Sequence, residues 1–352
     1  MDRRAGLVML ALGFASAASA QSPERFTFDT TVEADVFRGG GALDRPNIVV
    51  DISGVARLGA GWTAFVRPWF RQPRSATWDK QIYQASLQYE HPGPVAMRLD
   101  LGYIASPIGL GMMDTRPGVD PTILPHLSYL TPMPAFDDGA PRVVPIAATY
   151  PLGGEVTFST NKWDARGAVV DTAPTRIFVI NGATNPPSTP VVEAGAGITP
   201  KIGLRIGASF AHGEYVAGSE LMPSASSGRG LTLVALEGEY TFGYTKLNGE
   251  LTRDALETGS GTAIAYEWFV QGVETLSPRW FVAARQEGTS APPSASIVGD
   301  TRKTFQTTEA TLGYRLSPDV TFRASFYARK TFTTPDWDQQ AGVAVVWAHR
   351  WW

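Results

Sequence analysis

The chain has 352 residues, a formal net charge of −3, 36 glycines, 26 prolines and no cysteine. So mild a charge balance argues against a nucleic-acid partner, and the absence of cysteine excludes a disulfide framework. Beyond the first twenty residues no run reaches the about 18 apolar side chains of a transmembrane helix.

Asp2-Arg3-Arg4, an apolar run from Ala5 to Ala15, and Ala18-Ser19-Ala20 before Gln21 open the chain. A charged n-region, a short apolar stretch and an A-x-A site predict a secretory signal peptide over residues 1–20. The mature chain, 21–352, is expected to be a single domain, because all-β barrels run long as one unit.

From Phe26 onward the hydrophobic pattern has a period of two, the period of a strand whose successive Cβ atoms point to opposite faces. Phe26–Phe37 is followed by Ile48–Arg57 and Gly61–Arg71, with the tight Leu58-Gly59-Ala60 between the last two. Lys80–Glu90 and Pro94–Ile104 flank His91-Pro92-Gly93. In that pair Tyr83, Ala85, Leu87 and Tyr89, then Val95 to Tyr103 in steps of two, are read as one apolar face. After a long interruption come Gly154–Thr160, Trp163–Asp171, Val191–Ile198, Gly203–His212, Leu231–Tyr240 and Tyr244–Arg253. Ile264–Val273 and Trp280–Glu287 precede the clearest hairpin, Thr304–Lys330, and Gln339–Trp352 closes the chain.

In that hairpin Leu312, Phe322, Ala324 and Phe326 share an apolar face, while Glu309, Thr311, Arg315, Arg323 and Arg329 share the other. One such hairpin would also suit a soluble sandwich. Sixteen alternating strands of bilayer-crossing length point instead to a transmembrane antiparallel β-barrel. Adding Arg142–Pro151 and Ile177–Gly182 gives the alternative of eighteen. Short turns alternate with longer loops rich in Ser, Pro and Gly, such as Gln72–Asp79, Val216–Gly228 and Gly288–Lys303. That alternation matches short periplasmic turns and long extracellular loops. Aromatic residues at the strand ends suit the two membrane interfaces.

Chemistry-bearing motifs are sparse. The four histidines, His91, His126, His212 and His349, have no metal-spaced companion, and His212 with Glu214 is a weak pair. Gly39-Gly40-Gly41 and Gly109–Gly111 precede no helix that could cradle a phosphate. No catalytic residue, cofactor or metal is therefore expected.

The most informative irregular segment is residues 105–151, a candidate constriction loop, since loops above about 15 residues are usually functional. It carries Asp114, Arg116, Asp120, Asp137 and Asp138. Alternation directs Arg67, Arg71 and Arg98 into the lumen before it, with Asp100 beside them. Arg315, Arg323 and Arg329 enter from the far end of the chain. An acidic loop opposite a basic wall would set a transverse field across the pore. The competing expectation pairs the arginines with Asp51, Glu90 and Asp100 in a stabilising network.

Tyr103-Ile104-Ala105-Ser106-Pro107-Ile108-Gly109-Leu110 resembles the segment after the strand preceding the long loop in the phosphate-selective porin O/P family. The terminal strand, ending on Trp352, is similar to those that the barrel assembly machinery reads in outer-membrane proteins. The resemblance implies a Gram-negative outer-membrane porin for passive diffusion of small hydrophilic solutes or ions. It also implies lipid and lipopolysaccharide around the barrel and a homotrimer as assembly. Because the loop has no lysine and the wall carries both signs, phosphate selectivity and its ligands do not carry over. The readings kept beside it are an outer-membrane barrel hydrolase and a plugged structural or adhesive barrel.

Overall fold

The computed structural model describes residues 25–39, 42–43, 46–72, 77–110, 116–134, 136, 142–146, 150–176, 187–221, 225–292, 303–333 and 336–351. The expected signal peptide lies outside them, as do Asp114, Asp137, Asp138 and Ile177–Gly182.

Sixteen strands cross the structure. They are β1 (Phe26–Gly39), β2 (Asn47–Gly59), β3 (Trp62–Gln72), β4 (Asp79–His91), β5 (Ala96–Tyr103), β6 (Leu152–Ser159), β7 (Trp163–Val170) and β8 (Val191–Lys201). The second half comprises β9 (Leu204–Val216), β10 (Arg229–Phe242), β11 (Thr245–Thr258), β12 (Gly261–Thr275), β13 (Trp280–Ala291), β14 (Lys303–Arg315), β15 (Val320–Lys330) and β16 (Asp338–Arg350). A two-residue strand, Ala42–Leu43, adds a short pairing to the end of β1. Each strand pairs antiparallel with its neighbours in sequence, and β1 pairs with both β2 and β16, from Asp29↔Arg350 to Gly39↔Gln340. The sheet therefore closes into a barrel with no free edge, which removes the pairing hazard of an exposed strand. Of the Arg142–Pro151 segment, the described residues form no strand, so the count is sixteen.

The alternation of the sequence becomes an outside and an inside. Leu236, Leu251, Val270, Leu312, Phe322, Phe326 and Val343 are exposed on the outer face. Thr252, Glu267, Glu287, Thr307, Glu309 and Arg323, one residue out of phase, are buried within. An apolar exterior over a polar interior is the inverse of a soluble protein, and it suits lipid outside the wall. At the rim of short turns aromatic rings meet, across strands for Trp62 with Tyr89 at 5.1 Å and Trp280 with Tyr314 at 4.7 Å, and along β10 for Tyr240 with Phe242 at 4.8 Å. Both ends of the barrel sequence reach this rim, where Trp351 donates its backbone N–H to Phe28.

Three local departures from the simple alternation matter. The turn joining β2 and β3 holds Gly59, Ala60 and Gly61 at φ of 93°, 51° and 84°, a conformation that glycine adopts without a steric penalty. A bulge in the β3–β4 register, between Arg67↔Gln84 and Pro68↔Ile82, inserts Tyr83 as an extra residue. Tyr83 thereby leaves the outward phase expected of it and stands inside, 4.9 Å from Trp69 and 5.1 Å from Tyr150. Finally, β11 and β12 run beyond the expected Arg253 and Ile264 and meet at a two-residue turn on the rim of long loops.

Candidate functional site

The described residues between Tyr103 and Leu152, namely 104–110, 116–134, 136, 142–146 and 150–151, run inside the barrel. The prolines of this segment, among them Pro107, Pro117, Pro121 and Pro125, keep it out of the sheet. Its buried N–H groups must therefore find acceptors elsewhere, and carboxylates on the inner wall supply them. Glu250 of β11 accepts from the Leu110 backbone and from the Tyr129 hydroxyl at 2.8 Å. Glu267 of β12 accepts from the Ser128 hydroxyl at 2.9 Å. Glu287 of β13 takes the backbone N–H groups of Leu127 and Ser128 at 3.0 and 3.2 Å, at the start of a single helical turn, α1 (Leu127–Leu130). Glu309 of β14 takes those of Ile123 and Leu124 at 3.0 and 3.3 Å. Glu193 of β8 accepts from Ser106 at 3.3 Å. In each bond the loop's N–H or O–H donates and a carboxyl oxygen accepts, which satisfies donors that would otherwise be buried without a partner.

Arg285 of β13 compensates part of this buried negative charge. Its guanidinium pairs with Asp120 at 3.1 Å and donates to the carbonyls of Leu124 and Pro125 at 2.6 and 2.9 Å. Glu287 and Glu309 flank it at 3.8 and 3.5 Å. Arg323 of β15 donates to the Thr122 carbonyl at 3.1 Å and faces Glu33 at 3.7 Å. Towards the long-loop rim the same half of the wall turns apolar. Ile104, Ile108, Tyr129, Met133, Val143 and Ile146 of the loop bury against Val191, Leu231, Leu233, Leu256 and Phe269. Each large side chain so buried contributes about 1.5–3 kcal/mol. His126 is enclosed there, its ring 4.4 Å from Phe269. Burial, with the Arg285 charge, holds its imidazole well below the ordinary histidine value.

Across the lumen the loop leaves space. A cavity of about 390 Å³ lies between the Arg116–Leu130 segment and the wall of β1–β4, β15 and β16. Arg71, Arg116 and Arg329 line it together with Glu33, Asp35 and Asp120. Asn47 and Gln340 add amides, while Trp69, Tyr83, Leu127, Leu130 and Tyr327 add apolar surface.

The residues singled out from the sequence divide accordingly. Arg71, Arg116, Asp120 and Arg329 meet at the cavity; Arg323 ties the loop to the wall beside it. Arg67, Arg71 and Arg98 do not make one basic patch. Arg67 is buried and bonded to both oxygens of Asp51, with its other arm on the Tyr150 hydroxyl at 2.9 Å and the Tyr83 ring 5.5 Å away. Arg98 sits near the short-turn rim and pairs with Asp100 at 2.7 Å. Arg315, also at that rim, lies over Phe281 at 4.8 Å and donates to the Pro278 carbonyl. Asp114, Asp137 and Asp138 fall outside the described residues.

The row Glu250, Glu267, Glu287 and Glu309, with Arg285, was not singled out. The signal was available: four consecutive strands each place one Glu on the inward phase. The histidine pairing resolves differently, since His212 lies on the outer face against Thr232 at 3.0 Å and near Phe210.

No protein-family model matches the sequence, and no curated protein matches it at a significant level. Solved structures do match in fold. Salmonella typhi OmpF, solved with daunomycin, aligns at a TM-score of 0.63 and 10% identity over 92% of this chain and 97% of its own. The anion-selective porin of Comamonas acidovorans aligns at 0.58 and 13% identity, covering 92% and 98%. The trimer form of OmpT, an outer-membrane protein of Vibrio cholerae, aligns at 0.58 and 10% identity, covering 92% and 99%. At these identities the likeness is one of fold: this chain has the architecture of outer-membrane porin barrels.

Proposed function

We propose that the chain forms a narrow water-filled channel in a Gram-negative outer membrane, through which small hydrophilic solutes or ions diffuse passively. The observation that carries this reading is the charged cavity left between the infolded loop and one half of a closed barrel wall. Sixteen strands enclose more room than their own side chains fill, and here the described loop residues bond mainly to one side of it. Flow through such a passage needs no catalytic cycle. Residues 1–20 act as the export signal in this reading, and the C-terminal strand with the tryptophans that follow it in sequence addresses the assembly machinery. Lipid and lipopolysaccharide surround the apolar face, and the expected assembly is a homotrimer. Phosphate preference is no part of it, because the lining carries both signs of charge.

A planar bilayer tests the reading. Purified mature protein is expected to give stable, stepwise ion currents. Heat-modifiable protein that produces no steps would instead support the plugged barrel, with the loop closing the lumen entirely. Hydrolysis of a peptide or ester by the same sample would favour the enzyme reading.

A further inference from the structure

Resting on that channel reading, a more specific one follows from three residues on adjacent strands. Asp35 of β1 lies opposite Asn47 of β2 in the register, and Arg71 of β3 reaches the same place. The Asn47 carboxamide donates from Nδ2 to Asp35 at 2.6 Å and accepts at Oδ1 from Arg71 Nε at 3.0 Å. Those roles suit the groups, since a guanidinium only donates and a carboxylate only accepts. Four residues further along the same two strands, with no amide between them, Arg67 and Asp51 close directly into an ion pair. Asn47 thus holds a cation and an anion one carboxamide apart, and both line the cavity.

We propose that Asp35, Asn47 and Arg71 form a dipolar subsite for small zwitterionic solutes, compounds carrying an ammonium and a carboxylate a few bonds apart. The ammonium lies on Asp35 and the carboxylate on Arg71, antiparallel to the dipole that Asn47 keeps open. The rest of the lining supports this class. Arg71, Arg116 and Arg329 balance Glu33, Asp35 and Asp120 among the described lining residues. A cation or an anion is therefore attracted at one side and repelled at the other, whereas a zwitterion gains at both. Asp35 is 6% exposed, and such enclosure strengthens each contact relative to bulk water. Trp69 and Tyr83 offer apolar surface to the methylene stem between the charges. The cavity, about 390 Å³, has room for a few-carbon amino acid with water around it.

Liposome swelling with the reconstituted mature protein tests this, using 4-aminobutanoate as the zwitterion and erythritol as an uncharged solute of the same carbon number. The zwitterion is expected to enter about threefold faster, the effect of one weak ion-pair contact. Asp35→Asn combined with Arg71→Gln should bring the ratio to about one, and Arg71→Lys, which keeps the charge, should retain the preference. Asn47→Leu, an independent variant, removes the spacer and should also abolish it. Heat-modifiable gel mobility confirms that each variant is folded. A wild-type ratio at or below one overturns the inference and leaves the channel standing, as does a preference that survives both Asn47→Leu and the double change. Entry of neither solute overturns the channel reading and this inference together.

Discussion

The two halves of the lumen are built from the same kinds of residue and behave differently. On β11, β13 and β14 the inward carboxylates meet backbone N–H groups of the loop, and on β8 and β12 they meet its serine hydroxyls, so wall and loop are bonded together there. On β1–β4, β15 and β16 several inward charges meet side chains of the wall instead, Arg67 with Asp51, Arg71 with Asn47, and Arg329 with Asp338 at 3.4 Å, while Arg323 reaches the Thr122 carbonyl of the loop. A carboxylate that satisfies a buried backbone donor is committed, because releasing it strands both groups away from water. A charge paired on its own wall needs nothing from the loop, and the space in front of it stays open. The half whose inward charges are mostly bonded to the loop is thus the sealed one, and the half whose charges mostly pair along the wall is the open one.

The strongest way to break the comparison is to remove Arg285, the buried cation of the sealed half. Arg285→Ala leaves Asp120, Glu287 and Glu309 without it and should destabilise the folded barrel by about 3–5 kcal/mol, as for other buried pairs that lose one partner. Denaturant titration of the tryptophan fluorescence would show it, and an unchanged midpoint would mean that the loop is not anchored there.

Leu312→Arg addresses the outer face behind the same half. A charge near the bilayer midplane should cost about 2–4 kcal/mol. This loss should vanish in a short-chain detergent, where Arg285→Ala remains harmful, so the two effects separate in a comparison of folding into vesicles and into micelles.

Glu287→Ala is milder and more informative about the loop. Each stranded N–H of Leu127 and Ser128 costs about 1–3 kcal/mol. The barrel should still fold, with larger and noisier current steps as the segment around α1 loosens. On β5, outside both halves, Arg98→Ala should change stability by no more than about 1 kcal/mol, because that arginine is 47% exposed and its pair with Asp100 is partly screened by water.

Much of the barrel was legible in the sequence, because strand period and bilayer length act on every residue alike. The phase of Thr304–Lys330 placed Leu312 and Phe322 outside and Arg323 inside, as observed. It failed at Tyr83, where one inserted residue reverses the phase and no local composition announces a bulge. Residues 105–151 could be recognised as a long functional loop from length and proline content. Its docking could not be read, since an acidic wall binding main-chain N–H groups leaves no mark on the loop's own side chains. For that reason the sequence points to Arg67 and Arg98, whose partners Asp51 and Asp100 engage them on the wall itself, and not to Arg285 or to the row of Glu250, Glu267 and Glu287.

The central claim, one sealed and one open half, can be tested most directly by cysteine accessibility, and the chain has no cysteine to interfere. Val49→Cys places a thiol on the open side, where Val49 lines the cavity. Thr252→Cys places one on the sealed wall, where Thr252 is fully buried beside Glu250. A positively charged methanethiosulfonate reagent is added during single-channel recording. The account predicts a lasting drop in current with Val49→Cys and none with Thr252→Cys, unless Glu287→Ala is introduced as well. Block through Thr252→Cys alone, with Val49→Cys silent, would show that the passage runs on the other side of the loop and would contradict the account.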